Sequence, residues 1–408
     1  MIVSDDEPPD RETREKTSKL ITMVQDKRWP SLLPDKSKGE IATCNPAYCD
    51  GHTIHRVRED YKNIYGERSV LKKDGETILT PEYKYEKDGI EDARLSKKGD
   101  TYLITYVAFN EDIENGGAKI ALATTKNFKK IKRHGIIGPQ MRYEEAIDLV
   151  GPNSYYGKHW IRELEGIQKI HPGIDPFIPD KDAGLEYVPE RKQWALLHRL
   201  EPAIQIAYAD KISDFRKKKF WVEHIRNLEK YTILKPGIWW AKEKIGIGGL
   251  PIDIDGRKIG HIHGVEKRES EGLTQYFYRG TFAEFNPQID KIIAILRDPM
   301  LLPTDKDKLI ETSPNGHITE KYVNFPTILK VSPNDISALL TISGWGDEKE
   351  GSRTHNKEHI LKELSDPHNS IENWNKEVQL AQPPRNILPT TTVFKNKNAP
   401  LLLSNFNT

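Results

Sequence analysis

Charged and imidazole side chains recur in short clusters along this sequence: Gly89-Ile90-Glu91-Asp92-Ala93-Arg94-Leu95, Lys181-Asp182-Ala183, His198-Arg199, Lys244 ahead of a glycine-rich run at 246–251, and His263-Gly264. A carboxylate set among cations is the pairing that serves proton transfer beside a bound anion. Singly, Glu91-Asp92 is a surface turn pair, because charged doublets usually face water. Position sets the clusters apart, since each falls at the entrance or exit of a β-rich run. A fold that brings strand ends to one axis would gather them.

The β-rich runs come in pairs. Residues 101–110 (TYLITYVAFN) are followed by 118–125 (AKIALATT), which closes on Lys126-Asn127-Phe128. The arrangement returns as 193–200 (QWALLHRL) with 203–209 (AIQIAYA), closing on Ser213-Asp214-Phe215, and again as 258–265 with 276–285. Weaker copies stand at 337–343 and around 53–57. Sheets returning roughly every 60 to 100 residues, with long irregular connections, predict an all-β fold of about five propeller blades; two β-sandwiches are the alternative.

This gives an N-terminal extension over 1–40 and a single propeller domain over 41–408, with an insertion at 139–174 and a divergent part at 349–408. Helical periodicity is confined to 356–364 and the first twenty residues. The insertion carries Tyr143, Tyr155, Tyr156 and Trp160. It reads either as a loop over one mouth of the ring, stacking aromatics on sugar, or as a surface insertion that packs its own rings. The leucines at 401–403 are expected to return and close the ring.

Composition narrows the class. With 408 residues, 62 Lys+Arg against 61 Asp+Glu and a formal charge of +1, the field that would recruit nucleic acid or an anionic membrane is missing. No stretch approaches the roughly 20 apolar residues of a membrane-spanning helix, and the polar N-terminus resembles no secretory signal. Cys44 and Cys49 have no second pair to complete a zinc site, so two half-buried thiols in a reducing cytoplasm fit best. There is no phosphate-binding GxxxxGK[ST] loop and no HExxH, and no metal or nucleotide cofactor is expected. Homo-oligomer formation is left open.

In their order, the clusters resemble glycoside hydrolase family 130, which contains β-mannoside phosphorylases and related β-mannosidases. Gly89 to Arg94 is similar to the family's Gly-x-Glu-Asp-Pro-Arg. Lys181-Asp182-Ala183 and the strand ending His198-Arg199 are similar to its Lys-Asp-(Ala/Val) and His-Arg, and Lys244 to Gly264 is similar to its glycine-rich, proline-containing loop and His-Gly. The resemblance runs from Asn45 to Asp347 and takes in Asn45-Pro46, Arg56-Val57, Asn324-Phe325-Pro326-Thr327 and Gly344 to Asp347.

The resemblance implies a five-bladed propeller with a β-mannoside oligosaccharide in its central depression and inorganic phosphate as co-substrate. Asp92 would be the acid, passing its proton through a sugar hydroxyl while phosphate attacks the opposite face of the ring. Arg56, Arg94, His198, Arg199, Lys244 and His263 would hold the phosphate. Asn45, Asn110, Lys181, Asp182 and Asp347 would bind sugar. Two departures stand out: Ala93 replaces the usual proline, and Glu111-Asp112 follow Asn110 where phosphorylases of the family usually offer an arginine. A hydrolase of the same family, with Glu201 or Glu243 activating water, is the competing enzyme; a glycan-binding propeller without turnover is the third reading.

Overall fold

The computed structural model describes residues 34–62, 67–270, 273–300, 308–312, 318–322, 324–332, 335–345 and 349–380. The expectations at Asp347, the leucines at 401–403 and the helix in the first twenty residues lie outside these. Mostly strand, the described chain sorts into five sheets.

The first sheet is an antiparallel meander of β1 (Glu40–Cys49), β2 (His52–Asp60), β3 (Glu67–Lys73) and β4 (Glu76–Leu79). The second repeats it with β5 (Gly89–Lys98), β6 (Thr101–Asn110), β7 (Gly117–Thr125) and β8 (Ile131–Ile136). After two helices, α1 (Tyr143–Val150) and α2 (Tyr155–Ile170), the third comprises β9 (Asp180–Val188), β10 (Gln193–Leu200) and β11 (Ile204–Ala209), then α3 (Lys218–Arg226), and β12 (Thr232–Leu234).

The fourth sheet is larger: β13 (Lys244–Ile247), β14 (Ile252–Ile254), the long pair β15 (Arg257–Ser270) and β16 (Leu273–Phe285), β17 (Ile292–Ile295), β18 (Lys308–Thr312) and β19 (Ile318–Tyr322). The fifth has β20 (Asn324–Ser332), β21 (Asp335–Trp345) and β22 (Lys349–Asn356), followed by α4 (Lys357–Leu364) and α5 (Ile371–Leu380).

Local chemistry explains the hairpins. Asp50-Gly51, Asp74-Gly75 and Asp255-Gly256 each connect two strands with positive φ at both residues, the backbone that matches the twist of antiparallel strands. Side chains alternate across each sheet, so β6 sends Ile104 and Tyr106 toward the first sheet's Ile54 and Leu71, and Leu103 and Val107 toward the third sheet's Leu185 and Leu196. Leu197 and Ile206 then meet Ile245 and Ile262 of the fourth sheet, and Ile259 and Phe282 meet Leu329 and Leu339 of the fifth. Each such aliphatic side chain removed from water contributes about 1.5–3 kcal/mol. Packing also follows a circular order: β1 on β5, β5 on β9, β9 on β13, β15 on β20, and β20 back on β1.

The segment 139–174 is largely helical, although helical periodicity was expected only at 356–364 and in the first twenty residues. Tyr156, Trp160 and Leu164 recur every four residues on α2 and pack with Tyr143, Ala146, Ile225 and Leu228, while Ser154 caps the helix by accepting from Gly157 N. Its aromatics therefore serve its own core: Tyr143, Tyr156 and Trp160 are buried, and only Tyr155 is half-exposed, under Lys235. The helix expected at 356–364 is α4, capped by Asn356.

Candidate active site

Three first strands share one local device. Asn45 in β1, Asp92 in β5 and Asp182 in β9 have φ of +45°, +45° and +51°, each at a shift of strand register. Asn and Asp tolerate this left-handed backbone better than other side-chain-bearing residues. A bulge there leaves one residue out of the ladder and re-aims its side chain.

Asp92 is the centre of the first group. Its Oδ1 accepts from Asn45 Nδ2 at 2.7 Å and from Arg56 Nη1 at 3.1 Å, while Arg56 Nη2 holds Glu91 Oε1 at 2.9 Å and Arg56 Nε donates to Ser69 Oγ at 2.8 Å. Burial works to raise the Asp92 pKa, but Arg56, Arg94 and Lys181 outweigh it and hold the carboxyl below the usual range. Arg94 is turned to the backbone: Nη1 donates to the carbonyls of Asp92 at 3.0 Å and Ala93 at 3.1 Å, and Nη2 reaches Ile247 O at 3.4 Å. It thus ties down the backbone of the Asp92 bulge.

Asp182 is the centre of the second. Oδ2 lies 2.8 Å from Arg199 Nη1 and 3.3 Å from His263 Nε2, and Oδ1 lies 3.7 Å from Arg94 Nη2. Burial alone would raise this carboxyl; Arg199, His263 and Arg94 drive it far below the ordinary carboxylate range. Burial pushes His263 down, against the pull of the nearby Asp182. Gly246 leaves the room these groups occupy, because a Cβ there would stand 2.3 Å from Asp182 Oδ2 and 2.8 Å from His263 Cε1.

A third group adjoins it. Glu201 Oε1 is 2.9 Å from Lys244 Nζ and 3.5 Å from Arg199 Nη2. Burial opposes ionisation, but Lys244, Arg199 and Lys181 lower the Glu201 pKa to about 2. Helix α2 reaches this edge: Trp160 Nε1 donates to Glu201 O at 2.9 Å, and His159 and Glu163 lie within electrostatic reach of Glu201 and Lys244. Burial lowers His159 to about 4, whereas burial, Glu201 and Glu243 raise Glu163.

A profile described as beta-1,4-mannooligosaccharide phosphorylase, that of glycoside hydrolase family 130, matches residues 48–314. The chain belongs to this family. Family 130 relatives include a 1,2-beta-oligomannan phosphorylase of Thermoanaerobacter sp. (strain X514), 26% identical over 43% of this chain and 42% of its own length. A beta-1,2-mannobiose phosphorylase of Listeria innocua serovar 6a is 33% identical over 24% of this chain and 25% of its own length. The matches thus span less than half of each curated relative. The solved beta-1,2-mannobiose phosphorylase of Listeria innocua, in complex with beta-1,2-mannobiose, has the same fold with a TM-score of 0.54 at 16% identity, covering 84% of this chain and 99% of that one.

Not every residue expected from family 130 joins the cluster. Asn45, Arg56, Asp92, Arg94, Asp182, Arg199, Lys244 and His263 form one connected set of contacts running through Glu201, with half-buried Lys181 acting on Asp92 and Glu201. His198 points elsewhere: Nδ1 sits 3.1 Å from Asp180 Oδ1 and Nε2 3.3 Å from His224 Nε2, all three buried. As neighbours on a strand, His198 and Arg199 take opposite faces, so only one can enter the site. Asn110 caps a turn, donating to Lys84 O and accepting from Asp112 N. Glu243 is half-buried and acts on Glu163 and Tyr276 rather than joining Glu201.

Other contributors went unread in the sequence. His159 and Glu163 reach the site edge from a helix, beside the Trp160 that the sequence had offered for stacking on sugar, and Tyr278 of β16 acts on Arg199. Of the two thiols expected to be half-buried, Cys49 is, whereas Cys44 is fully buried. Among the described residues, no cluster of His, Cys, Asp or Glu is arranged to hold a metal ion, and no helix is long and apolar enough to cross a membrane.

Proposed function

We propose that this chain cleaves β-mannosides by phosphorolysis with inversion, releasing α-mannose 1-phosphate and the shortened sugar. The carrying observation is the Asp92 carboxylate, held by Asn45 and Arg56 on a hub shared with Lys181, Arg199, Lys244 and His263. One phosphate oxygen forms the new bond to the anomeric carbon as its bond to the leaving oxygen breaks, and the Asp92 proton passes to that oxygen through a sugar hydroxyl. Phosphate needs no base, being already an anion. The family membership and the phosphorylase relatives support this reading.

The charge pattern also governs the proton on Asp92. Three cations, Arg56, Arg94 and Lys181, favour the ionised form of Asp92. Phosphate bound beside Lys181 offsets one of those cations and raises the Asp92 pKa, so the acid gains its proton more readily when the nucleophile is in place. Asn45 and Arg56 keep its position through that change.

The circular packing order supports closing the five sheets as the blades of one propeller over 41–408, with the bulges of β1, β5 and β9 at its axis. Hydrolysis is the second reading, favoured by Glu201, an ionised carboxylate beside the nucleophile's cations. One assay separates them. Incubated with β-1,2- and β-1,4-mannobiose and mannosyl-N-acetylglucosamine, the chain is expected to release mannose 1-phosphate only when phosphate is present. Mannose released equally without phosphate would establish the hydrolase, and binding without product the glycan-binding module.

A further inference from the structure

Glu201 places a carboxylate on the cationic side of the hub. Its Oε1 faces Lys244 Nζ at 2.9 Å and Arg199 Nη2 at 3.5 Å, its side chain is 19% exposed, and Trp160 fixes its backbone oxygen. Lys181 faces it from β9, and His159, Glu163 and Tyr143 face it from the helical insertion. A carboxylate only accepts hydrogen bonds, so it repels any oxyanion without a proton to offer. Hydrogen phosphate has one: its P–OH can donate to Glu201 while its other oxygens accept from Arg199 and Lys244. Sulfate matches it in size and shape but carries no proton at neutral pH.

We infer that Glu201 makes the pocket at Arg199 and Lys244 selective for protonated oxyanions, admitting hydrogen phosphate and hydrogen arsenate and rejecting sulfate. This rests on the phosphorolytic reading of the same site. Its physical basis is a charged acceptor set beside the anion's cations, which attracts a ligand that carries a donor and repels one that carries none.

The test is calorimetric titration of the full chain with phosphate and with sulfate, repeated on Glu201→Gln and Glu201→Asp. Wild type is expected to bind phosphate roughly 10- to 100-fold tighter than sulfate, the worth of one hydrogen bond to a charged group. Glu201→Gln, which offers an amide donor, is expected to bring the ratio close to one, chiefly by gaining sulfate; Glu201→Asp is expected to keep the phosphate preference. Equal affinities in wild type, or undiminished discrimination in Glu201→Gln, would overturn the inference. Should the glutamine variant fail to fold, the wild-type ratio and the aspartate variant decide. Failure of the underlying reading looks different: wild type then makes no mannose 1-phosphate from any mannoside supplied with phosphate.

Discussion

Asn45 Nδ2 donates to Asp92 Oδ1 at 2.7 Å, joining two residues that each occupy left-handed backbone in the first strand of neighbouring sheets. The bulge makes the contact possible, because it aims both side chains out of the ladder and toward each other. Asn45→Gly keeps the positive φ accessible and removes only the donor. We expect kcat to fall about 10- to 100-fold, the scale of a lost hydrogen bond to a carboxylate, with little change in the phosphate KM. Wild-type kcat in steady-state assays would show that this contact does not position the acid.

Asp92→Asn is the sharper test of the acid. Asparagine tolerates φ of +45° and preserves the shape, so the melting temperature should move little. It cannot donate a carboxyl proton, and phosphorolysis is expected to fall by about 10²- to 10⁴-fold, the usual contribution of a general acid. Turnover near wild type in a folded variant would remove Asp92 from that role.

The hairpins around Asp92 were legible because their sequences are β-rich and buried on both faces, as in β6 and β7. Of the strands that carry the site, β10 and β15 were legible too, but β1, β5, β9 and β13 were not. β5 (GIEDARLSKK) looks like a charged turn because its carboxylates and Arg94 face a polar hub instead of a core. The Asp-Gly turns at 50–51, 74–75 and 255–256 were the available signal for the missed strands beside them, and the Tyr156, Trp160, Leu164 spacing was the signal for α2. The family order of motifs singled out Asp92, Arg199 and Lys244, which the fold joins in one set of contacts through Arg94, Asp182 and Glu201. No local pattern pairs Trp160 with Glu201, since the contact joins a helix to a strand end 41 residues away.

His198 separates motif order from geometry. Both ring nitrogens are engaged by Asp180 and His224, and burial together with the neighbouring His198 drives His224 well below the ordinary histidine range. Removing the imidazole strands a buried carboxylate, costing about 1–3 kcal/mol. His198→Ala is therefore expected to lower the melting temperature by several degrees, yet leave the phosphate KM within about twofold, since a structural residue contributes little differential binding. A large rise in the phosphate KM of the folded variant would return His198 to the anion site.

Acid titration tests the Glu201 ion pairs through stability. The folded pKa is depressed to about 2 from a model-peptide value of 4.5, so folding is favoured by the ionised form. The contribution is fully present above the unfolded pKa and is lost as pH falls from about 4.5 toward 2. Glu201→Gln lacks that carboxylate at every pH, so it should melt below wild type at pH 7, and the gap should shrink steadily between about pH 5 and pH 3. Asp182, held down by the same Arg199, titrates in both proteins and largely cancels in the difference. A gap in melting temperature that stays constant across this window would mean that Glu201 gains no net stabilisation from its cations.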